Sequence, residues 1–286
     1  MLKMLFLYTN VHAGGYNGLL IEARMEIAKQ VARYEEKGFN RERAEINTLM
    51  ENAVFAIFRD FPDAFLLFGG ATLVLFHESV RHSADLDLLA RGARLPSHEE
   101  IIDSLRRDLI PVAENLQLGE LRFETNGADG QEGRIFVATN SGRRLFRIDL
   151  TRFGSVIESE IETHPVKGEL GDSAVVKAAT KELLLLQKAE AFLLRRNVKA
   201  RDAYDIYLLT RIGATLNSTL RAHLADAIQG NEIASESILD RIAHTDVDLC
   251  TFELKPILPP DVYSPLQDAG FEPLRNAVKA LYEEWL

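Results

Sequence analysis

Phe65-Leu66-Leu67-Phe68-Gly69-Gly70, a strand-like apolar run that ends in paired glycines, is followed by Asp85-Leu86-Asp87-Leu88 inside a second apolar run. Side chains alternate across an extended strand, so Asp85 and Asp87 share one face while Leu86 and Leu88 share the other, which points to the core. Two carboxylates aimed the same way repel. A divalent cation between them removes that cost, because hard oxygens suit Mg²⁺ and its remaining positions hold substrate phosphates. A third acid, Asp149, lies in Leu145-Phe146-Arg147-Ile148-Asp149-Leu150. On a strand beside the Asp85 strand it would reach the same metals. Taken alone, Asp149 reads as an exposed residue paired with Arg147 or Arg152; the upstream doublet turns the reading toward a metal site.

Around these acids the pattern predicts an α+β fold. Helical periodicity runs from Leu20 to Tyr34 and from Arg41 to Phe58, rich in good helix formers. A short helix spans Ala71 to Glu78, the next strand Ala84 to Ala90, and Ser97 with Glu100 opens a helix from His98 to Leu116. Strands follow at Glu120 to Thr125, Gly133 to Thr139 and Arg144 to Arg152, the first two joined by the turn-rich Asn126 to Gly130, a spacing that suits antiparallel pairing. A break at His164-Pro165 and at Gly168 to Asp172 precedes a mostly helical remainder: Lys181 to Arg195, Ala200 to Thr210, Asn217 to Ile228 and Leu274 to Leu286, with Ile257 to Pro260 as a loop. The expected domains are therefore 1–170, a mixed or antiparallel sheet flanked by helices with further helices at its N-terminal side, and 171–286, a helical domain that completes the cleft.

The chain has 286 residues, 47% of them hydrophobic, enough for a substantial core. Its single cysteine, Cys250, forms no intrachain disulfide; the apolar opening Met1 to Tyr8 is too short to span a membrane, and no secretory leader is recognisable, which points to the cytoplasm. A formal net charge of −10 excludes a surface broadly coated for nucleic acid. Local basic clusters remain, Arg143, Arg144, Arg147 and Arg152 in one stretch and Arg195, Arg196, Lys199 and Arg201 in another, and each reads either as a solvated face or as a nucleotide or RNA groove. His77 and His82 lie near the acid doublet without zinc-like spacing. Ser83 reads as a phosphate contact or as a local backbone bond. The His12-Ala13-Gly14-Gly15 stretch reads as a loop, and Trp285 as a packing anchor.

Lys188 interrupts an otherwise apolar helix, and Lys199-Ala200-Arg201-Asp202-Ala203-Tyr204-Asp205 follows. Helical spacing puts Asp202 and Asp205 on one side and Arg201 four residues before Asp205, the geometry of an ordinary surface ion pair. The functional reading is a phosphate-facing patch, with Lys188 as a point charge on a phosphate and the acids orienting the basic side chains.

From Leu66 to Leu209 these elements resemble the AbiEii/AbiGii toxin-type nucleotidyltransferases of the polymerase-beta-like superfamily. The matching pieces are the Gly69-Gly70 turn, the Arg-x-Ser-x-Asp-x-Asp segment from Arg81 to Asp87, the strand acid Asp149, the helical Lys188, and the Arg-Asp-x-Tyr-Asp helix from Arg201 to Asp205. Gly70 stands where many superfamily members have serine, which leaves a hydroxyl contact to the triphosphate to Thr72; backbone N–H groups at the following helix start also suit phosphate.

The resemblance implies nucleotidyl transfer from an NTP with two Mg²⁺ ions held by Asp85, Asp87 and Asp149. Asp85, Asp87, Asp149, Lys188 and Asp205 then carry catalysis, and Gly69, Gly70, Thr72, Arg81, Ser83, Lys188, Arg201 and Asp202 bind nucleotide. Asp205 has two open roles, positioning Lys188 or binding nucleotide. The resemblance also implies the toxin half of a toxin–antitoxin pair, with a cognate antitoxin as partner and a tRNA 3′ end as acceptor. Two other readings share these residues: an inert nucleotidyltransferase-fold module that binds protein, and an enzyme that nucleotidylates a protein or a small molecule.

Overall fold

The computed structural model describes residues 24–91, 95–127, 132–152, 158–168 and 172–286. Met1 to Tyr8, the His12 to Gly15 loop, the start of the first expected helix at 20–23, the turn at 128–130 and the break at 169–171 lie outside the described residues.

Two helices come first, α1 (24–36) and α2 (Arg41–Asp60), the second begun by Asn40, whose side chain accepts from the Arg43 N–H. Then come β1 (Phe65–Phe68), α3 (Gly69–Phe76), β2 (Asp85–Ala90), α4 (His98–Asn115), β3 (Leu121–Gly127), β4 (Gly133–Thr139), β5 (Arg144–Arg152), β6 (Ile161–Lys167) and β7 (Ser173–Ala179). The rest is helical: α5 (Lys181–Leu194), α6 (Ala200–Arg211), α7 (Ser218–Gly230), α8 (Ser235–Ala243), α9 (Val247–Leu254), α10 (Pro260–Asp268) and α11 (Glu272–Leu281). The strands form one mixed seven-stranded sheet in the order β3-β4-β5-β2-β1-β7-β6, with β3–β4 and β4–β5 antiparallel and β2–β5 and β1–β7 parallel. This is the α+β architecture expected from the pattern.

The break expected at His164-Pro165 is instead the strand β6. It lies at the sheet edge, where a proline's missing N–H leaves no central ladder bond unmade. The sheet also runs past residue 170, because β7 pairs with β1 through Leu67 and Ala178. Its alanine-rich Ser173-Ala174-Val175-Val176-Lys177-Ala178-Ala179 has little of the β-branched and aromatic content that announces a strand. Helices α8, α9 and α10 are likewise additional to the sequence reading. Among the described residues no helix is long and apolar enough to cross a membrane.

Two compact units share the chain: Met1–Leu66, Ala84–Phe153 and Thr163–Lys177 in one; Leu67–Ser83, Gly154–Glu162 and Ala178–Leu286 in the other. In the first, Ile135, Ile148 and Leu86 line up across β4, β5 and β2 on the core face, all fully buried. Helices α2 and α4 pack together, fastened by Arg59, which donates to both carboxylate oxygens of Asp108 at 2.7 Å. In the second, Thr180 caps α5 by accepting from the Leu183 N–H and donates to Glu160, which also accepts from Asn217, the cap of α7.

Ser97 opens α4 with a reciprocal capping box, its hydroxyl accepting from the Glu100 N–H and Glu100 accepting from the Ser97 N–H. Ser97→Ala is expected to lower stability by about 1 kcal/mol in urea unfolding; an unchanged midpoint would show that the box contributes nothing to α4.

Candidate active site

The first unit carries the acids. Strand β2 runs parallel to β5 with Asp85 opposite Arg147 and Asp87 opposite Asp149, and β4 runs antiparallel to β5 with Arg134 opposite Asp149. Residues in register across a ladder project to the same face. One row across β4, β5 and β2 therefore reads Arg134, Asp149, Asp87, and the next reads Phe136, Arg147, Asp85. The opposite face holds the buried Leu86, Leu88, Ile148 and Leu150.

Arg147 bridges two of the acids. Its Nη2 donates to Asp85 Oδ2 at 3.0 Å and its Nε to Asp149 Oδ2 at 2.9 Å, while Arg134 Nε donates to the other Asp149 oxygen at 2.9 Å. Burial pulls the Arg147 guanidinium toward neutrality. The Asp149 hydrogen bond and the charges of Asp85, Asp149 and Asp87 outweigh that pull and raise its pKa. The side chains of Asp85 and Asp149 are 30% and 15% exposed, so the face is open to solute.

Three carboxylates on adjacent strands are the donor chemistry a hard divalent cation requires. Among the described residues, however, no three acidic, histidine or cysteine side chains are already gathered at metal-holding geometry. The donor set fits the ion in kind, and two of its three carboxylates, Asp85 and Asp149, are turned to guanidinium groups.

The second unit holds the glycine turn and the buried ions. Gly69 has φ of 73°, a conformation glycine adopts without strain, and it opens α3. At Gly70 the constraint is space: an added Cβ would lie 2.7 Å from Arg81 Nη2 and 2.8 Å from Ser83 Oγ. Arg81 cannot yield readily, because Asp205 accepts from its Nε at 2.7 Å and from its Nη2 at 3.1 Å. The same carboxylate lies 3.1 Å from Lys188 Nζ. Asp205 is 0% exposed, and Arg81 and Lys188 are buried with it. Burial alone would raise the Asp205 pKa; Arg81 and Lys188 reverse the sign and hold it below the usual carboxylate range.

Asp202, one turn earlier on α6, behaves oppositely. Burial raises its pKa, offset only in part by Lys188 and Arg195. Arg195 Nε is 3.1 Å from Asp202 Oδ2 but off the hydrogen-bonding direction, so neither oxygen of Asp202 has a hydrogen bond. Asp205 takes Arg81 and Lys188 as partners rather than Arg201, its neighbour four residues earlier; Arg201 is half-buried. Thr72 is fully buried and its hydroxyl makes no hydrogen bond, so that oxygen is closed to a phosphate arriving from solvent in this conformation.

A profile described as "Nucleotidyl transferase AbiEii toxin, Type IV TA system" matches residues 53–278. The chain belongs to the AbiEii nucleotidyltransferase toxin family. It is thus a nucleotidyltransferase, and its family is one of toxin–antitoxin systems. Among solved structures it is similar to JHP933 from Helicobacter pylori (15% identity, TM-score 0.53, covering 86% of this chain and 94% of that one). It also matches a putative nucleotidyltransferase from H. pylori (18%, 0.48, 86% and 99%) and MenT4, the nucleotidyltransferase toxin Rv2826c from Mycobacterium tuberculosis H37Rv (13%, 0.46, 90% and 98%). At these identities the likeness to JHP933 speaks for the fold. No curated protein matches.

In this AbiEii-family chain several cations of the expected basic clusters are already spoken for. Arg143 pairs with Glu42, Arg147 with Asp85 and Asp149, Arg195 with Asp202 and Lys199 with Glu253. Arg144 stacks over Phe136, 4.2 Å from its centroid, and Arg196 is exposed. Arg196 is on the wall of a groove of about 920 Å³ in the second unit, with Arg241, Asp240, Asp246 and Phe252. None of the expected catalytic or nucleotide-binding residues lines it. The sequence reading passed over Arg134, whose only signal was its place in a strand neighbouring Asp149.

Asp205→Asn leaves two cations buried against a neutral amide and is expected to destabilise the protein by roughly 3–5 kcal/mol in denaturant. Because the folded pKa of Asp205 is depressed, its contribution is full above the ordinary carboxylate value of 3.8 and is lost as pH falls through the lower folded value. The variant should lack that part of the acid-side loss; parallel stability–pH curves would contradict the assignment. Gly70→Ala is expected to cost about 1–3 kcal/mol by overpacking against the clamped Arg81, and an unchanged unfolding midpoint would show that Arg81 gives way.

Proposed function

We propose that the protein transfers a nucleotide from an NTP to an acceptor hydroxyl with Mg²⁺ held by Asp85, Asp87 and Asp149, and that the acceptor is the 3′ end of a tRNA. The observation that carries this reading is the parallel register of β2 on β5, which sets Asp87 opposite Asp149 with Asp85 on the same face. When bound, Mg²⁺ neutralises the triphosphate and stabilises the entering and leaving oxygens of an in-line displacement at the α-phosphorus.

The chain's own groups do the rest. Backbone N–H groups at Gly69 and Gly70, at the start of α3, cradle phosphate. Lys188 supplies a point charge to the phosphates. Asp205 is a positioning residue: fully buried, it holds Lys188 and Arg81 together and touches no solute itself. Arg81 keeps the glycine turn in place from behind. Asp149, beside the doublet, takes the proton of the attacking hydroxyl. Arg201 and Ser83 complete the nucleotide site, and Asp202, as buried as Thr72, acts through Lys188 and Arg195 rather than on the nucleotide itself. The protein acts in the cytoplasm as the toxin of a pair, with a cognate antitoxin as its protein partner.

Incubation with each labelled NTP, Mg²⁺ and a mixture of RNA, protein and small hydroxyl compounds should place label in the tRNA fraction. Asp85→Ala and Asp87→Ala should each lower transfer by roughly 10²-fold or more. Label in protein or a small molecule instead would move the acceptor, and absence of transfer with every NTP would leave the inert binding module. A second expectation concerns charge: reversing Arg144 and Arg196 together should weaken RNA binding by roughly tenfold, leaving free NTP binding intact. Equal losses in both assays would refute a separate RNA surface.

A further inference from the structure

The acid face already contains a cation. Arg147 reaches Asp85 with one nitrogen and Asp149 with another, and its own strand position, opposite Asp85 and two before Asp149, fixes it there. Alternation along β5 leaves Arg147 and Asp149 no choice but the same face. Arg134 from β4 contacts Asp149 from the other side, and it is far more exposed than Arg147, 54% against 35%. Without a positive charge, three carboxylates on neighbouring strands would repel one another; with the guanidinium between them the face is neutralised in part and the strands can pair in register.

Arg147 occupies one oxygen of Asp85 and one of Asp149, two of the three carboxylates proposed to hold the divalent cation. A guanidinium and a metal ion cannot share Asp85 Oδ2 and Asp149 Oδ2 in the same directions, and their charges repel at that separation. We infer that Arg147 is a built-in competitor of the metal: it holds the acid face in the metal-free protein and must leave both carboxylates when a divalent cation binds, so that it lowers metal affinity while stabilising the metal-free fold. This rests on the metal reading of Asp85, Asp87 and Asp149 given above. It assigns Arg147 a role opposite in sign to that of a phosphate-binding arginine, which would strengthen the loaded complex and leave the metal-free acids alone. The consequence is that the site half-fills at a higher free divalent-ion concentration than the same three acids would need without Arg147.

The test is titration of the full-length protein with Mn²⁺, following the free ion by electron paramagnetic resonance, alongside thermal unfolding with and without Mn²⁺. Arg147→Gln should bind Mn²⁺ about tenfold more tightly than wild type. Its metal-free form should melt lower, and its Mn²⁺-induced rise in melting temperature should be larger. Arg147→Lys keeps the charge but loses the fork that spans both acids, so its Mn²⁺ affinity should fall between those of wild type and Arg147→Gln. Arg134→Gln, which frees one oxygen of Asp149 only, should shift affinity less than Arg147→Gln. Equal or weaker Mn²⁺ binding by Arg147→Gln would overturn the inference while leaving the metal site standing. If the Asp85→Asn/Asp87→Asn double variant binds Mn²⁺ as well as wild type, the ion sits elsewhere, and both the metal reading and this inference fall.

Discussion

The parallel pairing of β2 with β5 is the constraint from which the first unit's chemistry follows. The ladder runs from Asp85 opposite Arg147 to Ala90 opposite Arg152 without a bulge, and its inner side is apolar and buried where Leu86 meets Ile148 and Leu88 meets Leu150. A slip of one residue would drive Asp85, Asp87 and Asp149 into the core and expose Leu86, Leu88 and Ile148, so hydrophobic burial fixes the register and the register fixes the acids. The chain concentrates like charge on the open face because the other face is committed to burial. Arginines from β4 and β5 supply the compensation. On the metal reading proposed above, stability of the sheet and filling by a cation are opposed at the carboxylates of Asp85 and Asp149.

A different solution serves the second unit. There the ions are buried rather than displayed, and Asp205 carries the load of two cations through short, directed contacts. Such a group contributes less to net stability than its gross attraction suggests, since all three charges were taken from water. What it gives is position: Lys188 is fixed on α5, Arg81 is fixed behind Gly70, and the glycine turn has no room for a side chain. Asp202, close by but without hydrogen bonds, shows how much of the effect is geometry. The two aspartates lie one turn apart on α6, and only the one that meets its partners head-on has its pKa held below the usual carboxylate range.

Much of this was legible in the sequence because it depends on local periodicity. The Asp85-Leu86-Asp87 alternation, the capping box at Ser97 and the strands Gly133–Thr139 and Arg144–Arg152 are patterns of two, three or four residues, and each occurs as written. Hidden were the features decided by distant partners. Strand β7 pairs across more than a hundred residues with β1, and its alanines reveal nothing of that neighbour. Arg81 reads as a nucleotide ligand only through the family resemblance; that it is clamped by Asp205, 124 residues later, is a matter of packing. Arg147 carried both readings in its position, on the Asp149 face and of opposite charge, but only the register shows that it reaches Asp85 as well.

The most direct measurement is anomalous diffraction from crystals of the protein grown with Mn²⁺ and a non-hydrolysable NTP analogue. The account predicts metal peaks bounded by the carboxylates of Asp85, Asp87 and Asp149, with the Arg147 side chain turned away from Asp85 and Asp149. Peaks remote from β2 and β5, or a metal seated there while Arg147 keeps both of its carboxylate contacts, would contradict it.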